Sequence, residues 1–216
     1  TALVASGALS FKDALPLVRY RAEVMQNAVP AGVGAMAAIL GLDDETVRAV
    51  CAEAAQNEVL EAVNLNSPGQ VVIAGNKAAV ERGMELAKAK GAKRALPLPV
   101  SAPFHSSLLK PASEKLEAYL ADKTFQAPRI DVINNVDVSI LKDPAAIKNA
   151  LVRQAASPVR WVETVQAMAA QGVTHVVECG PGKVLAGMTK RINGDLNGLA
   201  VYDPATMAEV MAVIKA

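Results

Sequence analysis

Histidine is the side chain whose ordinary pKa lies nearest neutrality, and this sequence has two, His105 and His175. His105 lies in Pro99-Val-Ser-Ala-Pro103-Phe-His-Ser106, where a strand has ended, two prolines stiffen the backbone and a helix is about to begin. A loop of that kind can hold an imidazole at a fixed angle over a cleft, although the same residue also reads as an ordinary loop histidine beside a helix start. His175, in Gly172-Val-Thr-His-Val-Val-Glu178, alternates within a strand and reads as structural. Arg19 and Arg21 stand two apart on a helix, roughly 200° around its axis, so they cannot share a face and one of them points inward.

A base is therefore visible without a nucleophile. None of Ser6, Ser10, Ser67, Ser101, Ser106, Ser107, Ser113, Ser139 and Ser157 sits in a Gly-x-Ser-x-Gly elbow, and neither cysteine is flanked that way. Gly180-Pro-Gly-Lys183 lies at a strand-to-helix turn but fails as a phosphate loop. It lacks the earlier glycine, and Val184 follows the lysine where Ser or Thr is required. Its glycines read as a tight turn that lets helix and strand approach. Gly32-Val-Gly34-Ala-Met-Ala37 imitates a dinucleotide fingerprint but precedes a strand where the fingerprint follows one. With no HExxH, no CxxC and no dense carboxylate cluster, neither a protein-bound metal nor another cofactor is expected.

Composition narrows the partners. At 216 residues, 52% apolar and 20% charged, the chain can bury a sizeable core, and its apolar runs stay short of the ~20 residues that span a bilayer. Twenty-two basic against twenty-one acidic residues give a net charge of +1, and aromatics are 3%. No overall field or stacking surface points to nucleic acid, and no membrane partner is expected. Cys51 and Cys179 suit a reducing cytoplasm. The opening ten residues lack the pattern of a secretory signal and read as a helix already under way.

The elements that must position these groups follow from periodicity. Ser10 caps a helix over residues 11–28, with Pro16 predicting either a kink or a later start near Leu15. Residues 34–40, 60–65, 70–74 and 93–98 read as strands, and residues 43–56 and 76–90 as helices. The order β-α-β-β-α-β, with Pro68-Gly69 as a type II turn, predicts a ferredoxin-like plait over 32–98, inserted between 1–31 and 99–216. Thereafter helix and strand alternate. Helices are expected at 106–121, 144–155, 159–171 and 181–192, strands at 130–134 and 173–178, and a short apolar helix near 205–214 after an irregular stretch. That alternation predicts a parallel sheet covered by helices.

In order along the chain stand Pro30, Gly34-Ala-Met-Ala-Ala38, Asn64-Leu-Asn-Ser-Pro-Gly-Gln-Val-Val-Ile-Ala-Gly75, Pro103-Phe-His-Ser106 and Glu178-Cys-Gly-Pro-Gly-Lys-Val-Leu185. With these the sequence resembles the malonyl-CoA:acyl carrier protein transacylase family of bacterial fatty-acid synthesis, from Thr1 to the C-terminal region. The resemblance implies an α/β-hydrolase-like core carrying a ferredoxin-like subdomain, malonyl-CoA and acyl carrier protein as partners, and a monomer. Members carry a glutamine-containing loop and a Gly-His-Ser-x-Gly elbow. By resemblance Thr1 falls just after that elbow, so the N-terminally incomplete core is expected to lack the serine and to be inactive alone.

The resemblance also implies roles. His105 matches the catalytic histidine, held by a main-chain carbonyl at the position of Gln154, so that replacing the Gln154 side chain is expected to be nearly silent. Arg21 matches the arginine that pairs the free malonyl carboxylate, leaving Arg19 as the solvated one. Phe104 resembles the malonyl-selective pattern, its ring crowding an α-methyl group. Asn64, Asn66 and Gln70 are expected to face the cleft, and Met25, one turn after Arg21, to line the acyl pocket. The alternatives stay open: turn asparagines bond local backbone and helical methionines pack in cores. Lys93, Arg94, Lys190 and Arg191 are candidates for coenzyme A phosphates or an acidic carrier protein, or are simply solvated. The rival reading is a non-catalytic fragment or a module that binds acyl-CoA or carrier protein.

Overall fold

The computed structural model describes residues 1–100 and 102–215; Ser101, one of the nine serines surveyed, lies outside the described residues. The chain opens with a short helix α1 (Ala2–Ala5) and a long α2 (Phe11–Gln26). Ser10 accepts from the Asp13 amide and starts α2 at Phe11, and Pro16 neither delays the helix nor ends it. Pro16 and Lys12 are both exposed, so the Lys12 carbonyl that the proline leaves without a helical partner faces water.

The next unit runs β1 (Gly34–Leu40), α3 (Asp44–Ala55), β2 (Leu60–Ser67), β3 (Gln70–Asn76), α4 (Lys77–Ala89) and β4 (Arg94–Pro97). Its strands form one antiparallel sheet in the order β2-β3-β1-β4. Asp43 caps α3 through the Thr46 amide, and Gly69 takes the positive φ of +72° that a type II turn requires at its third position. Strand alternation sends Ala37, Ile39, Val71 and Ile73 toward Val47, Val50 and Val80 of the two helices. Met36, Val63, Val72 and Ala74 face the opposite way, against half-buried Leu98 and Phe104. A register shift between Ala62 and Asn64 changes the parity of β2. Leu65, rather than Asn64, thereby enters the helix-covered layer.

The remaining elements are α5 (Lys110–Ala121), preceded by a 3₁₀ turn at Ser107–Leu109, then β5 (Ile133–Asn134), β6 (Ser139–Ile140), α6 (Pro144–Gln154), α7 (Trp161–Ala170), β7 (His175–Cys179), α8 (Val184–Ile192), β8 (Asn197–Val201) and α9 (Pro204–Lys215). Leu109, Leu116, Leu120, Phe125 and Ile147 pack against Leu9, Leu17, Val24 and Met25. Each fully buried leucine there contributes about 1.5–3 kcal/mol by leaving water.

Two expectations need correction. The strand predicted at 130–134 shrinks to two residues, paired antiparallel with β6 rather than in a parallel sheet. The chain ahead of it is used elsewhere: the Gln126 and Arg129 amides donate to the Ala8 and Ser6 carbonyls. The irregular stretch after Asn193 contains β8, which pairs parallel with β7. Gly198 conceals this strand from propensity because it is there for packing. A Cβ at Gly198 would lie 2.3 Å from the Ala186 carbonyl of α8. Among the described residues, β7 with β8 is the one parallel pair of named strands. No described helix is long and apolar enough to cross a membrane.

Candidate active site

His105 has a φ of +65°, a left-handed conformation uncommon for a residue with a Cβ. Its neighbours hold it there. Ser106 is fully buried, and its hydroxyl and amide both donate to the Pro103 carbonyl, at 2.7 and 3.3 Å. Pro103 rests on Gly34 of β1, where an added Cβ would come within 2.4 Å of the proline ring. The Ser107 amide donates to the Glu61 carboxylate of β2 at 2.8 Å, so the small sheet grips this loop from two strands.

Across 49 residues of sequence, the imidazole Nδ1 meets the main-chain oxygen of Gln154 at 3.0 Å. A carbonyl only accepts, so Nδ1 carries the proton and Nε2 is left with a free lone pair. Gln154 is the last residue of α6, where carbonyls lack helical partners, and the histidine satisfies one of them. Burial lowers the His105 pKa below its ordinary value. The Gln154 and Ser157 main chain oppose this, and the nearby Arg21 charge adds to it. The imidazole is thus held in its neutral form, with Nε2 available to accept a proton.

Arg21 projects inward from α2, whereas Arg19 stays outside in an exposed ion pair with Glu23 at 3.0 Å. The Arg21 Nε is enclosed with no hydrogen-bond partner, and burial lowers its pKa. A buried guanidinium nitrogen left unpaired in this way is costly unless an anion joins it. Arg21 and His105 line one cavity of about 410 Å³, walled largely by Leu3, Leu9, Leu17, Leu116 and Leu151. A second cavity of about 680 Å³, including Asn66, Ile133, Trp161 and Leu185, shares Thr1, Leu3, Asn135, Leu151, Gln154 and Val159 with the first. Together they form an apolar hollow with a base and a cation at one end, suited to a small acyl group that ends in a carboxylate.

The other candidates are placed as follows. Asn66 lines the larger cavity. Asn64 lies at the bridge where β2 meets Val159, through Leu65 N to Val159 O at 3.0 Å and Val159 N to Val63 O at 2.8 Å. Met25 is buried in the α2–α5 core rather than on a cavity wall, and half-buried Phe104 packs between that core and the sheet. Gln70 lines neither cavity and accepts from Arg191 at 2.9 Å. Lys93, Arg94 and Lys190 are exposed, with Lys93 over Gly41, which in turn bonds Gly69 beside Gln70. His175 faces Thr174 at 2.9 Å and lines neither cavity. At the Gly180–Lys183 turn, the Ala186 amide at the start of α8 donates to Glu178 at 2.9 Å, so the protein's own carboxylate occupies the helix end.

Sequence reasoning passed over Glu61, Asn135 and the packing role of Gly34. An acid in the apolar run of β2 and a tandem Asn134-Asn135 at a strand end were the available signals.

Residues 1–202 match the family model of the acyl transferase domain. The chain belongs to that family. It is 55% identical over 211 residues to a malonyl CoA-acyl carrier protein transacylase of Escherichia coli (strain K12), covering 98% of this chain and 68% of that protein. To the Bacillus subtilis (strain 168) transacylase it is 48% identical over all 216 residues, again covering 68% of the relative. Among solved structures, an acyl-carrier-protein S-malonyltransferase from Burkholderia pseudomallei 1710b matches with a TM-score of 0.96 and 70% identity, over 98% of this chain and 69% of that one. A malonyl-transacylase in complex with a type II PKS acyl-carrier protein matches with a TM-score of 0.96 and 51% identity, over 98% and 69%.

Proposed function

We propose that this acyl transferase domain moves malonyl from coenzyme A to the phosphopantetheine thiol of an acyl carrier protein in fatty-acid synthesis. The observation that carries the reading is the meeting of His105 and Arg21, whose enclosed Nε has no partner, in one small apolar cavity. The relatives named as malonyl transacylases, one of them bound to its carrier protein, support it.

In this reading the nucleophile is a serine in a Gly-His-Ser-x-Gly elbow, a pattern that no serine of residues 1–216 has. His105 Nε2 takes the serine proton as the oxygen attacks the thioester carbonyl. When the tetrahedral intermediate collapses, the C–S bond breaks and the imidazolium returns the proton to the departing coenzyme A thiolate. The second half runs in reverse order: His105 deprotonates the phosphopantetheine thiol, the sulfur displaces the serine oxygen, and the serine regains its proton. Arg21 pairs both oxygens of the malonyl carboxylate throughout, replacing the partner its burial denies it. Phe104 disfavours an α-methyl substituent by the ~1–3 kcal/mol that one methyl-sized change allows. Asn66 borders the acyl site in this reading, whereas Met25 and Gln70 stand away from both cavities. Lys93, Arg94, Lys190 and Arg191 meet coenzyme A phosphates or the acidic carrier surface.

The same reading takes residues 1–31 and 99–216 as a hydrolase-like acyltransferase core and 32–98 as an inserted ferredoxin-like subdomain. The β2-β3-β1-β4 order and the separate hydrophobic cluster under α3 and α4 support the latter. The test joins the relatives' elbow segment ahead of Thr1 and measures malonyl transfer. His105→Ala should remove transfer, and Arg21→Ala should remove the preference for malonyl over acetyl. Unaltered rates in both would end the assignment.

A second reading is favoured by the lack of an elbow serine: residues 1–216 alone bind acyl-CoA or carrier protein without forming an acyl-enzyme. Intact-mass analysis of the chain after malonyl-CoA treatment separates the two, since a malonyl adduct excludes the second.

A further inference from the structure

The carbonyl that holds His105 belongs to the last residue of a helix, where backbone frays most readily. Something must keep it aimed. The Gln154 side chain, far from idle, donates from Nε2 to the Asn135 Oδ1. Asn135 is itself fixed, since its main-chain oxygen accepts from the Arg160 amide at 3.2 Å at the start of α7.

The turn that carries Asn135 is unusually well braced. The Asn134 carboxamide accepts from the Val136 and Asp137 amides at 3.2 and 2.8 Å and donates to the Ser139 carbonyl and hydroxyl at 2.9 and 3.1 Å. Arg153, the neighbour of Gln154, pairs Asp137 through both guanidinium arms at 2.7 and 2.6 Å. The Arg160 guanidinium donates to the Val136 carbonyl at 3.2 Å. Val138 is held at a φ of +55°, a costly conformation for a β-branched residue that persists only when its surroundings insist on it. Two consecutive residues at the end of α6 are thus tied to one rigid turn. Asn135 also lines both cavities, so the residue stands at the site.

We infer that Asn135 is a positioning residue for the base: its carboxamide anchors the Gln154 side chain, which fixes the Gln154 carbonyl on His105 Nδ1 and so keeps the Nε2 lone pair pointed at the reacting atoms. The inference rests on His105 acting as the base of the proposed transfer. Against the expectation that the Gln154 side chain can be changed silently, it predicts a measurable effect. The chain of bonds runs Asn135 Oδ1, Gln154 Nε2, Gln154 carbonyl, His105 Nδ1. Asn135 touches no reacting group in this scheme. It acts through the imidazole tautomer.

The test uses the 216-residue chain itself, with ¹⁵N-labelled histidine and long-range proton–nitrogen correlation above the histidine titration range. His175, which lines neither cavity, serves as the internal reference. In the parent, His105 should carry its proton on Nδ1. In Asn135→Leu and Gln154→Met the ratio of the Nδ1–H to the Nε2–H form should fall about fivefold, the equilibrium equivalent of one ordinary hydrogen bond. Asn135→Asp, which still accepts from the Gln154 amide, should restore the parental tautomer, whereas a merely structural role for Asn135 leaves the tautomer unchanged in every variant. If Asn135→Leu does not fold, Gln154→Met decides alone, because its donor is removed without touching the turn. Retention of the Nδ1–H form in Gln154→Met overturns the inference. Failure of malonyl transfer in the elbow-bearing protein would instead count against the function and leave this result standing.

Discussion

Gly34→Ala should damage the site through a contact that involves no reactive group. A Cβ at Gly34 would stand 2.4 Å from Pro103 Cδ, 2.5 Å from Cγ and 3.0 Å from Cβ. Carbon atoms pack comfortably no closer than about 3.5 Å, so the loop must retreat by about 1.1 Å or β1 must bend. The proline ring has no flexible end to swing aside. Its carbonyl is bonded twice to Ser106, so a shift at Pro103 travels directly into His105 between them. Overpacking of this kind costs about 1–3 kcal/mol, and a misplacement of about 1 Å at a catalytic group can cost about 10²-fold in rate. Urea unfolding of the chain measures the first, and malonyl transfer by the elbow-bearing protein the second. Gly34→Ala/Pro103→Ala removes the two nearest ring atoms and should recover much of both losses, giving a coupling of about 0.5–3 kcal/mol in the double-mutant cycle. If Gly34→Ala matches the parent in unfolding midpoint and in the Nδ1–H state of His105, the loop is not seated on β1 as argued.

Further outcomes follow from burial and charge. Burial lowers the folded-state pKa of His105 below its ordinary 6.5, so the unfolded chain binds more protons between the two values. Stability contributed by the neutral imidazole is therefore complete above about pH 6.5 and lost as pH falls below it, with a slope of at most about 1.4 kcal/mol per pH unit. His105→Asn should abolish that slope in unfolding titrations, while an unchanged slope would place its origin elsewhere. Arg21→Met removes a half-buried guanidinium whose enclosed Nε lacks a partner, and should leave the unfolding free energy unchanged or raise it by up to about 1 kcal/mol while ending the proposed malonyl preference; a strongly destabilised variant would mean that Arg21 has a structural partner. At Gly75 an added Cβ would meet the Val59 carbonyl at 1.9 Å, a backbone atom that cannot yield without unzipping β2 from β3. Gly75→Ala should cost at least about 3 kcal/mol in thermal or urea unfolding, and a parent-like midpoint would contradict the register.

Much of the scaffold is local in origin and was legible in the residues. Switches between a two-residue and a 3.6-residue apolar period give the β-α-β-β-α-β order over 34–97, because each side chain's face follows from its place in the repeat. Ser10 and Asp43 mark helix starts, and Pro68-Gly69 marks the turn, through preferences that act over a few residues. The same reasoning establishes that Arg19 and Arg21 must diverge. It also singles out His105 by the stiffness of its loop. The roles assigned to Arg21 and Gln154 came from family resemblance, which carries information that periodicity does not.

Which arginine turns inward is decided by the core that α2 packs against, not by the helix itself. The strand β8 exists because β7 and α8 accept it, and its glycine, poor in strand propensity, is the residue that allows the approach. The bulge in β2 reassigns Asn64 and Leu65 to opposite layers by a one-residue change of parity. The hydrogen bond from His105 to Gln154 spans 49 residues, and the Gln154 side chain reaches back a further 19 to Asn135. No pattern within a helix or a strand encodes a distance between residues that meet only after the chain has folded, so the scaffold's pieces are a property of the sequence and the site is a property of their packing.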